Sequence, residues 1–186
     1  MGTEENKPYK IGAGIDQSLN STGVVVMSLD SGEVLFHHAI ILNSGRKSDP
    51  KLFGADRLIF IRDCIKNILA KYNVEYLVIE GYSFGSRGSS IFDLGEIGGA
   101  VRVLAHDLKI PVEVVPPKTL KKYITGNGNA SKEEMSEAVL KKYSKSFKTS
   151  DETDAFSLIL LAKEVGPGKV KDFCASLKMT KKGKKP

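Results

Sequence analysis

Four acidic residues stand where strand ends and the start of a helix would bring carboxylates together. Two of them close segments that read as buried strands, and two lie three residues apart at the opening of an apolar helix. They are Asp16, Glu80, Asp151 and Asp154. Carboxylate oxygens are the ligands that Mg²⁺ prefers, with water and substrate phosphate completing its shell. Two such ions about 4 Å apart stabilise an in-line phosphodiester displacement, so the pattern predicts metal-dependent phosphodiester chemistry.

The spacing of Asp151 and Asp154 predicts that both carboxylates share one helix face. At about 100° per residue, three residues leave the two side chains about 60° apart around the axis. Glu152 is rotated by about 100° from Asp151 and is predicted to point elsewhere. Taken alone, Asp151 could be a favourable charge at a helix N-terminus, and Asp16 could be a turn residue. Glu80 is harder to explain in this way, because an acid that closes a buried strand needs a partner or a metal.

The elements that must position these acids follow an α/β order. Alternation and turn signals predict three antiparallel strands at the start, then strands alternating with helices. This order predicts a mixed five-stranded sheet flanked by helices, with the acids at strand ends, where sites collect in such sheets. The predicted strands are 9–16, 23–28, 33–42, 75–80 and 112–115. The predicted helices are 53–72, 94–108, 131–143 and 152–163, and the predicted loops include 43–50 and 81–90.

Composition excludes several classes of protein. The 186 residues are 41% hydrophobic and 27% charged, which is ordinary for a soluble globular domain. The longest apolar stretch is far too short to span a bilayer, and residues 1–10 carry no secretion signal. Cys64 and Cys174 match no metal or redox spacing. We therefore expect a reduced, cytoplasmic protein with no membrane partner.

Positive charge is concentrated at the C-terminus. The formal net charge is +6, and all but one unit is supplied by five lysines within the last nine residues: Lys178, Lys181, Lys182, Lys184 and Lys185. Basic tails of this kind often contact nucleic acid, and they also serve simply to keep a protein soluble. Charge alone leaves both interpretations open.

The acids belong to an ordered set of motifs that resembles the RuvC-type Holliday junction resolvases. That family is part of the RNase H-like, or retroviral-integrase-like, superfamily. The resemblance spans residues 11–162 and includes the segments 94–99, 117–118 and 126–132. The motifs are Gly14-Ile15-Asp16-Gln17-Ser18, Thr22-Gly23, Val78-Ile79-Glu80 and Asp151-Glu152-Thr153-Asp154-Ala155.

The resemblance implies an RNase H-like fold and a two-metal nuclease. Two Mg²⁺ ions, for which Mn²⁺ can substitute, would be held by the four acids. Asp16 would bridge both ions, Glu80 would bind the ion nearer the leaving oxygen, and Asp151 and Asp154 would complete the set. A metal-activated water would cut the strand and leave a 5′-phosphate and a 3′-hydroxyl. Lys132 would contact the scissile phosphate.

The resemblance also implies partners. The family is homodimeric, and the helix from Leu94 is its usual dimer element. The substrate would be branched DNA: four-way junctions, and also flaps and three-way branches. An aromatic residue shortly after Glu80, either Tyr82 or Phe84, would stack on a base at the branch point. The other expected DNA contacts are Arg87, Lys118, Lys121, Lys132, Lys181 and Lys182.

Two features depart from the bacterial cellular pattern. Gln17-Ser18 stands where that pattern has Pro-Gly, and the lysine tail is not a general family feature. Both suggest a phage-type member, which would act in the host cell cytoplasm. The expected organisation is a flexible N-terminus at 1–8, an RNase H-like nuclease domain at 9–165 and an extension with a basic tail at 166–186.

Other interpretations are less consistent with the sequence. A nuclease of the same fold could cut RNA in an RNA–DNA hybrid, although no basic hybrid-binding module precedes the core. A non-catalytic DNA-binding relative would not need all four acids. A sugar-kinase-like phosphotransferase would need a second large lobe. The three histidines, His37, His38 and His106, are predicted to be structural, and no phosphate-binding loop is present.

Overall fold

The computed structural model describes residues 9–17, 21–42, 52–82 and 90–179, with side chains described throughout except at 90–94 and 178–179. The strands are β1 (Ile11–Asp16), β2 (Ser21–Ser28), β3 (Val34–Ile41), β4 (Tyr76–Glu80) and β5 (Val112–Val115). The helices are α1 (Gly54–Lys71), α2 (Ser90–Asp107), α3 (Pro117–Thr125), α4 (Lys132–Tyr143), α5 (Ser150–Val165) and α6 (Val170–Met179).

The five strands form one mixed sheet in the order β3-β2-β1-β4-β5. The β1–β2 and β2–β3 pairs are antiparallel, whereas β4 pairs parallel with β1 and β5 pairs parallel with β4. This arrangement confirms the predicted fold class. Because β1 and β4 run side by side in the same direction, their C-terminal residues meet at one edge of the sheet.

Each face of the sheet is covered by a hydrophobic cluster. One face packs against α1 and α2, with Ala13 and Ile15 of β1 in that cluster. The other face packs against α5, whose residues Ala155–Ala162 are almost all fully buried. The period-2 pleat of β1 explains this division, since alternate side chains point to opposite faces.

Glycines let α5 lie unusually close to the sheet. A Cβ built on Gly14 would collide with the carbonyl oxygen of Ala155, and one built on Gly23 would collide with that of Asp151. Larger residues at these two strand positions would push the helix away. The glycines therefore fix the distance between the sheet and the N-terminal half of α5.

Two helices of the structure, α3 and α6, were not predicted. Helix α3 starts with Pro117 at its first position, buries Leu120 and Ile124, and ends at Gly126, whose φ of 84° is left-handed. The segment 126–132, named above for the resemblance, thus begins at the end of a helix. Helix α2 begins at Ser90, where a loop was predicted, and α5 begins two residues earlier than expected.

Helix α6 lies beyond residue 165, within the extension predicted at 166–186. Val170 and Cys174, one helical turn apart, are buried in the cluster beneath α5. The Glu113 carboxylate of β5 accepts hydrogen bonds from the backbone N–H groups of Gly168 and Lys171 at the start of this helix. The packed body therefore extends through α6. Among the described helices, none combines the length and the apolar character that crossing a membrane requires.

Candidate active site

The parallel register of β1 and β4 places Asp16 beside Glu80. The last paired residues of the two strands are Ile15 and Ile79, and each acid is the next residue. Asp16 is buried, with 5% of its surface exposed, and Glu80 is partly buried. The two carboxyl groups interact by hydrogen bonding. Two of the four predicted acids are therefore brought together by strand pairing alone.

The first turns of α5 supply the other two acids. Thr149 caps this helix by accepting a hydrogen bond from the Glu152 N–H at 3.1 Å. The close approach of α5 to Gly23 then fixes the backbone of Asp151 near the start of β2. Asp151 and Asp154 are both near enough to Asp16 to raise its pKa by their negative charges. The structure thus gathers all four predicted acids at one edge of the sheet.

Burial and mutual repulsion make this cluster unfavourable for ionised carboxylates. Burial raises the pKa of Asp16 well above its ordinary value, and the charges of the other three acids raise it further. Burial, reinforced by the charge of Asp154, raises the pKa of Glu80 to about 7. Burial raises the pKa of Asp154 to about 6, against the opposing effect of nearby lysines. A bound cation would offset both the burial and the repulsion.

Two lysines border the acids. Lys132 is the first residue of α4, following the capping box of Ser131. Its Nζ donates to the Ser150 hydroxyl at 3.0 Å and lies 3.6 Å from Asp151 Oδ1. Lys121 on α3 donates to the Ala130 carbonyl oxygen at 2.6 Å. The charges of both lysines act to lower the pKa values of Glu80 and Asp154, so both belong to the site's surroundings.

Glu152 points away from the acid cluster, as its helical rotation predicts. Its carboxylate accepts hydrogen bonds from the Thr149 N–H at 3.0 Å and the Thr149 hydroxyl at 3.1 Å. His37 of β3 lies with its Nδ1 2.7 Å from the other carboxylate oxygen. Burial acts to raise the pKa of Glu152, but these hydrogen bonds outweigh it and the pKa is lowered. His37 thus has a structural partner, in line with its predicted role.

Tyr82, one of the two aromatic residues expected to stack on DNA, contacts helix α2. Its hydroxyl donates to the Gly95 carbonyl oxygen at 3.2 Å and accepts from Arg102 Nη1 at 2.9 Å. The Arg102 guanidinium also lies over the ring, 5.1 Å from its centroid. Tyr82 therefore ties the end of β4 to α2, and one face of its ring is already covered.

Of the remaining predicted DNA contacts, Lys118 falls within the described residues. It is exposed in the first turn of α3, and within that part of the chain its side chain makes no hydrogen bond or ion pair to the four acids. Phe84, Arg87, Lys181 and Lys182 lie outside the described residues.

The acid cluster is not a preformed metal cage. Within the described parts of the chain, no three His, Cys, Asp or Glu side chains already stand in a geometry that would hold an ion. The donor set nevertheless fits a hard cation, because it consists of four carboxylates held by rigid elements. Burial and the neighbouring negative charges raise the pKa values of Asp16, Glu80 and Asp154. The sheet order, the acid cluster and the two bordering lysines together define a nuclease-type site on an RNase H-like fold.

Comparison with known proteins identifies the family. The family model described as crossover junction endodeoxyribonuclease RuvC matches residues 13–161. The chain is 29% identical over 150 residues to the RuvC of Bdellovibrio bacteriovorus, covering 80% of this chain and 85% of that protein. It is 31% identical over 127 residues to the RuvC of Rhodopirellula baltica, covering 68% and 69%. The chain therefore belongs to the RuvC family, and the predicted enzyme class, a crossover junction endodeoxyribonuclease, is confirmed.

Solved structures show the same fold. The Thermus thermophilus RuvC structure matches with a TM-score of 0.68 at 22% identity, covering 83% of this chain and 94% of that one. The T. thermophilus RuvC in complex with a Holliday junction substrate matches with a TM-score of 0.69 at 20% identity, covering 84% and 94%. A yeast mitochondrial Holliday junction resolvase matches with a TM-score of 0.56 at 13% identity, covering 95% and 89%. Enzymes of the RuvC family are metal-dependent nucleases.

Proposed function

We propose that this protein is a metal-dependent endonuclease that resolves Holliday junctions and other branched DNA, leaving 5′-phosphate and 3′-hydroxyl ends. The observation that carries the proposal is the gathering of Asp16, Glu80, Asp151 and Asp154 at the shared end of β1 and β4. Membership of the RuvC family supports the nuclease activity. The RuvC structure solved with a Holliday junction supports the substrate class.

The four acids would hold two Mg²⁺ ions per site, and Mn²⁺ would substitute because carboxylates accept both. Once bound, these ions supply an activated water and stabilise charge on the departing oxygen. The protein's own part is to fix the ligands, since β1, β4 and α5 hold the carboxylates on a rigid backbone. Because the backbones are already fixed, the carboxylate side chains need only rotate to close on an ion.

Lys132 and Lys121 would receive the substrate phosphate. Both lie at the rim of the acid cluster, where their positive charges act to lower the pKa values of Glu80 and Asp154. A lysine close to the scissile phosphate stabilises the negative charge that develops as the strand is cut. Lys132 is the better placed of the two, because among the described residues its Nζ contacts only the Ser150 hydroxyl and the more distant Asp151 carboxylate. Lys121 is held more tightly by the Ala130 carbonyl.

Two active sites that cut paired strands require a homodimer, and α2 offers a surface for one. Val103 of α2 is 61% exposed, and Phe60 of the neighbouring helix α1 is also exposed. Gly99 also lies on α2, and apart from its chain neighbours and the helix's own backbone no described atom lies within 4 Å of a Cβ built there, so another chain could approach. Light scattering tests this assembly: Gly99→Leu should reduce the mass to that of a monomer, and an intact dimer would place the interface elsewhere.

Further contacts to DNA are proposed from the sequence. Phe84 would stack at the branch point in place of Tyr82, while Arg87, Lys118, Lys181 and Lys182 would contact phosphates. Gln17-Ser18 and the lysine tail support a phage-type member, although the relatives named above are bacterial. We place the protein in the cytoplasm, that of the host cell if a phage encodes it.

A substrate panel tests the proposal. Purified protein is incubated with labelled four-way junction, three-way junction, flap, linear duplex and RNA–DNA hybrid, each with Mg²⁺ and with EDTA. Paired symmetric nicks in the four-way junction that require Mg²⁺ are the expected result. Preferential cleavage of the hybrid would overturn the choice of substrate, and tight junction binding without any cleavage would overturn the activity.

A further inference from the structure

Gln17 follows Asp16 directly and reaches across to the strand that carries Glu80. The pairing of β1 with β4 has its last pair at Ile15 and Ile79. Beyond that pair, Gln17 Nε2 donates a hydrogen bond to the Glu80 carbonyl oxygen at 3.1 Å. The backbone pairing of β1 with β4 ends just before Asp16 and Glu80. The Gln17 side chain therefore supplies one further hydrogen bond between the two strands, level with these acids.

The Gln17 side chain is enclosed, with 8% of the residue's surface exposed. The Glu80 carbonyl can only accept, so Nε2 must face β4 and Oε1 must face away from it. Oε1 lies toward Gly98 of α2, where a Cβ would be only 2.7 Å away. Within the described residues, this buried oxygen has no hydrogen-bond partner. The amide is thus held by one directional bond and by the shape of its surroundings.

Helix α2 forms the fixed wall of this enclosure. A Cβ on Gly98 would also collide with the Tyr82 hydroxyl. That hydroxyl is itself held between the Gly95 carbonyl and Arg102. The Gln17 amide and the Tyr82 hydroxyl therefore share the space that the missing side chain of Gly98 leaves. Tyr82 is bonded to α2, whereas Gln17 is bonded to the end of β4 and only packs against α2.

We infer that Gln17 is a positioning residue, whose amide fixes the backbone of Glu80 against that of Asp16 and so sets the spacing of the two carboxylates. The inference rests on the proposed function, because that spacing matters when both carboxylates bind cations. The two acids repel each other when ionised, and the Gln17 bond opposes their separation at the end of the paired strands. Residues that orient metal ligands in this way typically change metal affinity by 10–100-fold when mutated.

Titration calorimetry with Mn²⁺ on the full chain, without DNA, tests the inference. Gln17→Met keeps the length and apolar volume of the side chain but removes the donor, and we expect Mn²⁺ to bind about tenfold more weakly. Thr22→Val is the matched control. Thr22 is also buried near this edge of the sheet, and its Oγ1 likewise lacks a partner among the described residues. Unlike Gln17, its side chain makes no hydrogen bond to any of the four acidic residues there. Thr22→Val should bind Mn²⁺ as the wild type does.

Thermal unfolding in EDTA, measured beside the titrations, separates positioning from mere stabilisation. A purely structural Gln17 would lower the unfolding temperature in Gln17→Met and leave the Mn²⁺ affinity of the folded protein unchanged, which would overturn the inference. If Gln17→Met does not fold, Gln17→Asn replaces it; its amide is one methylene too short for the bond, and the same tenfold loss is expected. Wild-type protein that binds no Mn²⁺ would contradict the proposed metal site itself.

Discussion

The two sides of the first turns of α5 place acids in opposite surroundings. On one side, Asp151 and Asp154 lie with Asp16 at the end of the sheet, where burial and like charges raise carboxyl pKa values. On the other side, Glu152 is buried as well, but His37 and Thr149 lower its pKa by hydrogen bonding.

The difference shows how to distinguish an acid that serves the fold from one that serves a ligand. Glu152 finds its donors within the protein, so its charge is stabilised as soon as the chain folds. Asp16 and its neighbours are buried with other acids, and their charges become favourable only when a cation arrives. Sites of this kind sacrifice stability of the free protein for function.

The largest effect on stability is expected from closing the gap under α5. Gly23→Ala places a methyl group against the backbone of Asp151, which cannot move without shifting the helix. We expect a loss of about 3 kcal/mol or more in the free energy of unfolding, as for overpacked cores. Urea denaturation followed by circular dichroism measures it.

Gly95→Ala is the control for that substitution. The residue sits within α2, and apart from its chain neighbours and the helix's own backbone no described atom lies within 4 Å of its added Cβ. Alanine is the better helix former there by about 1 kcal/mol, so a gain in stability is expected. Equal losses in the two variants would show that α5 is not held by the close approach at Gly23.

A second, smaller effect is a pH dependence of the free energy of unfolding, whose sign is set by the acid cluster. Glu80 and Asp154 have ordinary pKa values of 4.5 and 3.8, which the fold raises to about 7 and about 6. Between about pH 4 and 7 the folded protein thus binds more protons than the unfolded chain, and stability falls as pH rises. In EDTA we expect a decline on the order of 1–3 kcal/mol from these groups, measured by urea denaturation at stepped pH.

Two controls isolate the acid cluster in that experiment. Glu80→Gln should flatten the decline because it removes one of the shifted groups, and excess Mg²⁺ should also flatten it because a cation favours the ionised form. Glu137→Gln, at an exposed position of α4, should leave the slope between pH 5 and 7 unchanged. A decline of equal size in Glu80→Gln would place its origin outside the cluster.

The smallest expected effects have opposite signs on the two sides of α5. In EDTA at neutral pH, Asp154→Asn removes a buried, repelled charge and should stabilise the protein by about 1 kcal/mol. Glu152→Gln weakens the capping box and the His37 interaction and should destabilise it by about 1 kcal/mol. Parallel urea titrations measure both, and changes of the same sign would contradict the distinction between the two sides.

Residues whose position depends on local periodicity were predictable from the sequence. The alternation of β1 and the apolar run before Glu80 locate two acids, and helical rotation separates Asp154 from Glu152. The layer order and the mixed sheet follow from the same periodicities. These features are visible because each depends on residues close together in the chain.

Residues that depend on distant contacts were not predictable. Helices α3 and α6 are short and rich in lysine, and they are stabilised by burying Leu120, Ile124, Val170 and Cys174 against other elements. The Tyr82 hydroxyl is satisfied by residues 13 and 20 positions away. The Gln17 amide bonds a carbonyl 63 positions away, and its sequence signal is only the departure from Pro-Gly.

Single-turnover cleavage of a four-way junction by Asp16→Asn and Glu152→Gln, at saturating Mg²⁺ and protein, separates an acid that binds the ions from an acid that supports the helix. Loss of a ligand from the acid cluster should remove several kcal/mol of transition-state stabilisation, so Asp16→Asn should cut on the order of 10³-fold more slowly than wild type while still binding the junction. Glu152→Gln should stay within about tenfold of wild type, because its carboxylate supports the helix and not the ions. Undiminished cleavage by Asp16→Asn, or an equal loss in both variants, would contradict the account.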